Sequence, residues 1–214
     1  MPDAEPAFTV RPLRLHDVAP NFSARTTMGH RSLSDYRGRW LVLFSHPADF
    51  TPVCTSEFIA FARMNEAFVE AGCDLLALSV DSLYSHIAWI KDINDQFGVE
   101  VAFPILEDPS MVIGRAYGMV DETSNDSATV RATYIIDPEG LIRAISWYPM
   151  NVGRSVEELL RLVSALQTAD REICSTPEGW QPGGPLLESA AVTVEQAIAD
   201  GRANTAWYFR ERQT

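Results

Sequence analysis

Apolar residues from Trp40 to Ser45 form an unbroken run of strand length, and a second such run extends from Cys73 to Val80. Between them Phe58, Phe61, Ala62 and Phe68 recur near one face of a helical period, so the segment reads strand, helix, strand. A right-handed crossover then pairs the two strands in parallel. The pattern continues with a helix from about Tyr84 to Phe97, a short strand near Phe103 to Leu106 and a short helix from Ser110 to Tyr117. Thr129 to Ile136 and Leu141 to Trp147 flank Asp137-Pro138-Glu139-Gly140, whose residue types predict a hairpin turn. Ser155 with Glu158 three residues on forms a capping box, and it opens a helix that runs to about Thr168. An early segment from Leu13 to Phe22, interrupted by Pro20, predicts a small hairpin or edge element.

The order β-α-β-α-β-α-β-β-α describes an α/β sheet closed by an antiparallel hairpin, a thioredoxin-like arrangement with an N-terminal extension. After Thr168 the chain changes character, since Ser175 to Pro185 is crowded with Gly and Pro breakers. Two regions are therefore expected, 1–168 as the main domain and 169–214 as an appendage. The appendage carries a short helix near Val194 to Asp200 and the aromatic run Trp207-Tyr208-Phe209, and it is too small to fold alone.

Composition narrows the function. A net charge of −12 argues against nucleic acid and anionic membrane as partners, because either needs clustered Lys and Arg. No apolar stretch approaches the roughly 20 residues that span a bilayer, and the first residues lack a basic start followed by an apolar run. Three cysteines, Cys54, Cys73 and Cys174, do not make a secreted disulfide framework, so a reducing, cytoplasmic compartment is expected. His16, His30 and His86 show no ligand spacing with acids or cysteines, and no phosphate-cradling Gly-rich motif is present. The expectation is no metal and no cofactor.

The chemistry concentrates at Ser45-His46-Pro47-Ala48-Asp49-Phe50-Thr51-Pro52-Val53-Cys54, which leaves the first apolar run and enters the helix. Thr51 is a favoured N-cap type and Pro52 suits the first helical position, which puts Cys54 third in the helix. There its sulfur lies beside unpaired backbone N–H groups and the positive end of the helix dipole, an environment that favours a thiolate. Most free cysteines merely pack. The capped helix start and the fixed order Pro47, Thr51, Cys54 favour a nucleophile here, with the Thr51 hydroxyl one turn from the sulfur.

Pro47-x-x-x-Thr51-x-x-Cys54 resembles the active-site signature of the peroxiredoxins, thiol peroxidases that reduce hydroperoxides. Phe44 to Glu57, with His46 directly before Pro47, is similar to the one-cysteine, peroxiredoxin 6 type subfamily. Gly114 to Met119, Tyr148-Pro149, Gly153-Arg154 and Thr176 to Trp180 fit the same pattern. The resemblance implies a thioredoxin-like fold whose C-terminal arm embraces a partner subunit in a homodimer, with larger rings as an extension. It implies that Cys54, Thr51, Pro47 and Arg131 form the catalytic set, with Arg154, Glu57 and His46 in support. Alone, Glu57 on a helix would face solvent and His46 would be a satisfied core residue. A Cys54 sulfenic acid then needs a second thiol. An external thiol is the first choice, since Cys73 reads as a buried strand residue, while Cys174, in the turn-rich stretch, is the one internal candidate. Two rivals stand beside this reading. A thioredoxin-type disulfide oxidoreductase needs Cys-x-x-Cys, whereas Cys54-Thr55-Ser56-Glu57 places Glu at the second position. A redox-responsive holdase or peroxide sensor would use the same Cys54 without turnover.

Overall fold

A computed structural model of the chain describes residues 11–120, 127–201 and 206–213. The expectation about the first residues falls partly on residues 1–10, outside the described set. The first regular structure is a hairpin of β1 (Ser23–Thr26) and β2 (Gly29–Ser32), followed by a 3-10 turn at Leu33–Tyr36. The unbroken apolar run is β3 (Trp40–Ser45), and the motif then leads into α1 (Pro52–Glu70). Next come β4 (Cys73–Ser79), α2 (Leu83–Phe97), β5 (Ile105–Glu107) and α3 (Val112–Ala116). The hairpin β6 (Arg131–Ile136) and β7 (Ile142–Tyr148) closes the sheet. The remaining elements are α4 (Val156–Glu172), β8 (Leu186–Leu187), α5 (Val194–Gly201) and β9 (Glu211–Arg212).

Contacts group the chain into two compact units, Met1–Arg154 and Ser155–Thr214. In the first, seven strands run in the order β2-β1-β5-β4-β3-β6-β7. β3 pairs in parallel with β4 and antiparallel with β6, so both its edges and both its faces are covered. That is why Trp40 to Ser45 are apolar almost without a break, and every one of them is buried. Phe44 projects from one face into an aromatic cluster, stacking on Phe61 at 4.1 Å and meeting Phe58 and Phe103 at 5.8 and 5.9 Å. Leu41 and Leu43, of opposite parity, join the core on the other face with Leu76, Leu78 and Tyr134.

In the second unit, Ser155 accepts a hydrogen bond from the Glu158 amide at 3.2 Å, as its capping position requires. α4 continues to Glu172, past the expected end near Thr168, and stops at Ile173 in the left-handed conformation. Ala165 on this helix packs with Trp180 and Leu186, which is why α4 groups with the residues that follow it.

One further expectation changes. The early hairpin lies at Ser23–Ser32 rather than Leu13–Phe22, where the described residues show only an isolated bridge from Val18 to Leu141. Strands reading Ser-Ala-Arg-Thr and Gly-His-Arg-Ser are too polar to register as strands by hydropathy. The β8–β9 pair is two residues long on each side and leaves no periodicity to read.

One detail of the sheet sets up the site. The β3–β6 ladder ends at Phe44 opposite Thr133. Beyond it the Ser45 hydroxyl donates to the Val130 carbonyl at 2.6 Å and accepts from the Ala132 amide at 3.2 Å, bridging the strands where backbone pairing stops. Thr129 adds a second bridge, its hydroxyl donating to the His46 carbonyl at 2.7 Å. These two bridges fix the start of β6, where Arg131 stands, against the end of β3.

Candidate active site

Thr51 occupies the N-cap of α1 with extended backbone, and Pro52 is the first helical residue. The Thr51 side chain does not cap the helix in the usual sense. Its hydroxyl donates back to the Ala48 carbonyl at 2.8 Å, leaving its lone pairs unused by the helix. The first helical amides have no intrahelical acceptors, and Cys54 lies among them with 0 % of its surface exposed. Pro47 is buried at the end of β3.

Arg131, at the start of β6, donates from Nη1 to the Cys54 sulfur at 3.4 Å and to Glu57 Oε2 at 2.8 Å. Its Nε and Nη2 both donate to the Met150 carbonyl, at 3.0 and 2.8 Å. The guanidinium fork thus makes four hydrogen bonds, with one corner turned to the sulfur. Arg154 lies on the other side of Glu57. Its amide and Nε donate to Oε1 at 2.7 and 2.9 Å, its Nη2 donates to Oε2 at 2.8 Å, and Nη1 reaches the Ala132 carbonyl at 2.9 Å. The Arg154 guanidinium also sits 5.2 Å above the Phe44 ring. Glu57, a residue that reads as solvent-facing on its own, is 2 % exposed. Burial pushes its carboxyl up, but the bonds and charge of Arg154, and then the charge of Arg131, outweigh burial and hold it below the ordinary value.

His46 stands apart from this set. Its Nε2 pairs with Asp49 Oδ1 at 2.9 Å, and His86 on α2 pairs through Nδ1 with Asp49 Oδ2 at 2.8 Å. All three side chains are buried. Burial opposes the Asp49 charge, but the bonds from the two histidines outweigh it and its carboxyl is held well below the usual range. Burial lowers the His46 imidazole, with Asp49 pulling it back only in part. An ionised Asp49 accepts a hydrogen bond from the facing nitrogen of each ring. The other ring atoms, His46 Nδ1 and His86 Nε2, have no hydrogen-bond partner among the described residues.

The ligating atoms of His46, Asp49 and His86 lie within 4.8 Å of one another, a donor set that suits a metal ion. The far nitrogens argue against one. A ligating histidine donates its remote N–H to an oxygen, whereas a cation here would leave two buried N–H donors without acceptors. We read the cluster as a hydrogen-bonded clamp. It still corrects the sequence reading, which set His86 aside for want of spacing to acids. The partner is 37 residues away and is supplied by packing between α2 and the loop before α1. His46-x-x-Asp49 is the part of the clamp visible in sequence.

The other two cysteines differ. Cys73 is buried at the start of β4, and burial, with help from the Asp74 charge, pushes its thiol up to about 12. Cys174 belongs to the second unit, half-buried against Ala165, Trp180 and Leu186. All three are free thiols.

Residues 15–145 match the AhpC/TSA family. A peroxiredoxin from Thermoplasma volcanium is 45 % identical over 202 residues, covering 93 % of this chain and 98 % of its own. One from Aquifex aeolicus is 50 % identical over 170 residues, covering 79 % and 77 %. Among solved structures, a yeast mitochondrial one-cysteine peroxiredoxin, described with a thiol resolving mechanism via glutathione and thioredoxin systems, superposes with a TM-score of 0.83. It shares 40 % identity and covers 94 % of this chain and all of its own. Peroxiredoxin 6 of Arenicola marina gives 0.79 at 34 % identity, covering 87 % of this chain and 88 % of its own. The thioredoxin-like α/β fold expected from element order is the fold of these neighbours.

Replacing Glu57 tests the arginine pair directly. Glu57→Gln leaves two buried guanidinium groups short of their anion and is expected to cost about 3–5 kcal/mol in urea unfolding. A loss under 1 kcal/mol would show that the pair does not depend on the charge. The pH dependence has a definite sign. Glu57 is held low in the fold, so its stabilisation is complete above the unfolded value of about 4.3 and is lost as pH falls through the folded value. The variant should therefore lose stability less steeply than wild type below about pH 4. Equal slopes would contradict the assignment.

Proposed function

The chain belongs to the AhpC/TSA family and is a thiol peroxidase of the peroxiredoxin type, and from that premise we propose that Cys54 is the residue that attacks the peroxide. The observation that carries this assignment is the Arg131 guanidinium 3.4 Å from the Cys54 sulfur at the first turn of α1. A cysteine that merely packs has no need of a buried arginine held by three further hydrogen bonds to Met150 and Glu57.

In the reaction the Cys54 thiolate bonds to one oxygen of a hydroperoxide as the O–O bond breaks. Sulfur is oxidised to sulfenic acid, and the second oxygen leaves as hydroxide or alkoxide and takes up a proton. Negative charge moves from sulfur to the departing oxygen, so donors must serve both ends of the path. The Arg131 Nη1 corner and the Cys54 amide face that path. The Thr51 hydroxyl, donating to Ala48, offers its lone pairs to the peroxide O–H. Glu57 and Arg154 hold Arg131 in place, and Pro47 shields the sulfur. His46 is bonded to Asp49, and we assign it to holding the loop rather than to proton transfer.

An external thiol is the reductant in this reading. Cys73 is fully buried with a thiol pushed up to about 12, a poor nucleophile near neutral pH. The residues after about Thr168 form the dimerisation arm, supported by the exposed Val194, Ile198, Trp207, Tyr208 and Phe209. The setting is cytoplasmic, which cell fractionation would check. No helix among the described residues is long and apolar enough to cross a membrane.

Cys54→Ser is expected to abolish dithiothreitol-supported peroxide consumption, and substantial residual turnover would refute the assignment. Thr51→Val is expected to slow oxidation on the order of 10²-fold, the weight of one preorganised polar contact. For the reductant, wild type and Cys174→Ser receive one equivalent of peroxide before intact-mass analysis. Sulfenic acid on Cys54 in both proteins supports the external thiol, while a Cys54–Cys174 disulfide in wild type alone makes Cys174 the resolving residue. Light scattering should report a dimer or larger assembly, and a monomer at micromolar concentration would overturn the arm assignment.

A further inference from the structure

A cavity of about 280 Å³ lies between β2, the 3-10 turn, α1, β4 and the segment before β5. It is at the end of the sheet away from the reactive cysteine. Asp74 in its wall pairs with Leu41 near the start of β3, whereas Cys54 follows the other end of that strand. Asn65, also in the wall, stands roughly 16 Å along α1 from Cys54, at 1.5 Å per residue. The volume is just under the roughly 300–1,000 Å³ of small-molecule sites, which leaves room for one molecule of amino-acid size.

The polar groups in this wall are left wanting partners. Tyr36 is 8 % exposed, and its hydroxyl oxygen is buried with no hydrogen-bond partner among the described residues. A buried phenol without a partner is costly to keep, and replacing it by an apolar group of the same shape would be the cheaper solution for a residue that only packs. Burial pushes the phenol up to about 12, with Arg31 opposing and Asp74 and Asp35 adding to the shift. The charges that reach the hydroxyl are therefore three that line this cavity. Arg31 makes one bond, from Nη1 to the His30 carbonyl at 3.0 Å, and no ion pair among the described residues, so its side chain is free to turn toward or away from the hydroxyl. Asp35 accepts the Ser32 amide on Oδ2 at 2.8 Å and keeps Oδ1 unused. Asp74 differs, because Arg39 takes both of its oxygens, at 2.7 and 2.9 Å.

One cation and one anion thus remain uncompensated, beside a buried phenol and an apolar wall of Leu75, Phe103 and Val69, the last 51 % exposed. A ligand of a single sign would satisfy one of the two charges and be repelled by the other. A zwitterion meets both. We propose that this cavity binds a free α-amino acid with an apolar side chain, its carboxylate held by Arg31 and the Tyr36 hydroxyl, its ammonium by Asp35 and its side chain by the apolar wall. The guanidinium fork suits a carboxylate, and the phenol supplies one further donor to it. This site is separate from Cys54 and does not depend on the role assigned to that residue.

The test is titration calorimetry on the full-length protein with three probes that share one apolar body: L-phenylalanine, 3-phenylpropionate, which lacks the ammonium, and 2-phenylethylamine, which lacks the carboxylate. L-Phenylalanine should bind, and each of the other two should bind at least about tenfold more weakly, the weight of a charge-assisted hydrogen bond. Tyr36→Phe should weaken L-phenylalanine about tenfold for the same reason. If Tyr36→Phe does not fold, Asp35→Asn, at an exposed position, takes its place. Asp35→Asn should weaken L-phenylalanine about tenfold and leave 3-phenylpropionate within about twofold, a split that general damage to the fold does not produce. Cys54→Ser should bind L-phenylalanine as wild type does. The absence of a binding heat with L-phenylalanine at millimolar concentration overturns the proposal, as does unchanged affinity in the Tyr36 or Asp35 variant. Binding of 3-phenylpropionate as tight as that of L-phenylalanine overturns the zwitterion, and loss of binding in Cys54→Ser overturns the separate site.

Discussion

Two buried guanidinium groups sharing one buried carboxylate form the constraint on which the rest of this structure depends. Arg131 and Arg154 carry like charges, and both bond to Glu57 Oε2 at 2.8 Å. Without the anion between them, their repulsion and the loss of hydration would expel one or both. With it, Arg131 is held so that a single Nη1 corner is shared by Glu57 and the Cys54 sulfur. Elements far apart in sequence supply the parts. α1 brings Cys54 and Glu57 on one buried face, β6 brings Arg131, and the segment after β7 brings both the Met150 carbonyl and Arg154. The sheet order places β6 directly beside β3, and the Ser45 and Thr129 hydroxyls hold that junction where the backbone ladder ends.

A second buried network, centred on Asp49, governs the loop rather than the sulfur. The two networks are separate: one holds Arg131 against the sulfur, and the other holds the loop that leads into α1. Cys54 lies where they meet, at the end of the loop and the start of the helix.

The sheet core was legible because its strands are continuous apolar runs, and β3 matches the run Trp40 to Ser45 residue for residue. The position of Cys54 was legible too, since Thr51 and Pro52 mark a helix start by local chemistry alone. Glu57 was not, because a charged residue on a helix face reads as solvated until its partners are known. Those partners lie 74 and 97 residues downstream and were pointed to by family resemblance rather than by pattern. His86 escaped altogether, since a lone histidine carries no sign of the loop it packs against. The β1–β2 hairpin was misplaced for a different reason: its strands are polar, and their pairing is set by backbone bonds that hydropathy does not record.

The central claim is that the planar arginine fork, and not a positive charge alone, prepares Cys54 for peroxide. Arg131→Lys keeps the charge but cannot bond the Met150 carbonyl, Glu57 and the sulfur together. The decisive measurement is the stopped-flow rate constant for oxidation of this variant by hydrogen peroxide at neutral pH. A loss on the order of 10²-fold or more is the result this account predicts. A variant oxidised within about twofold of wild type would contradict it.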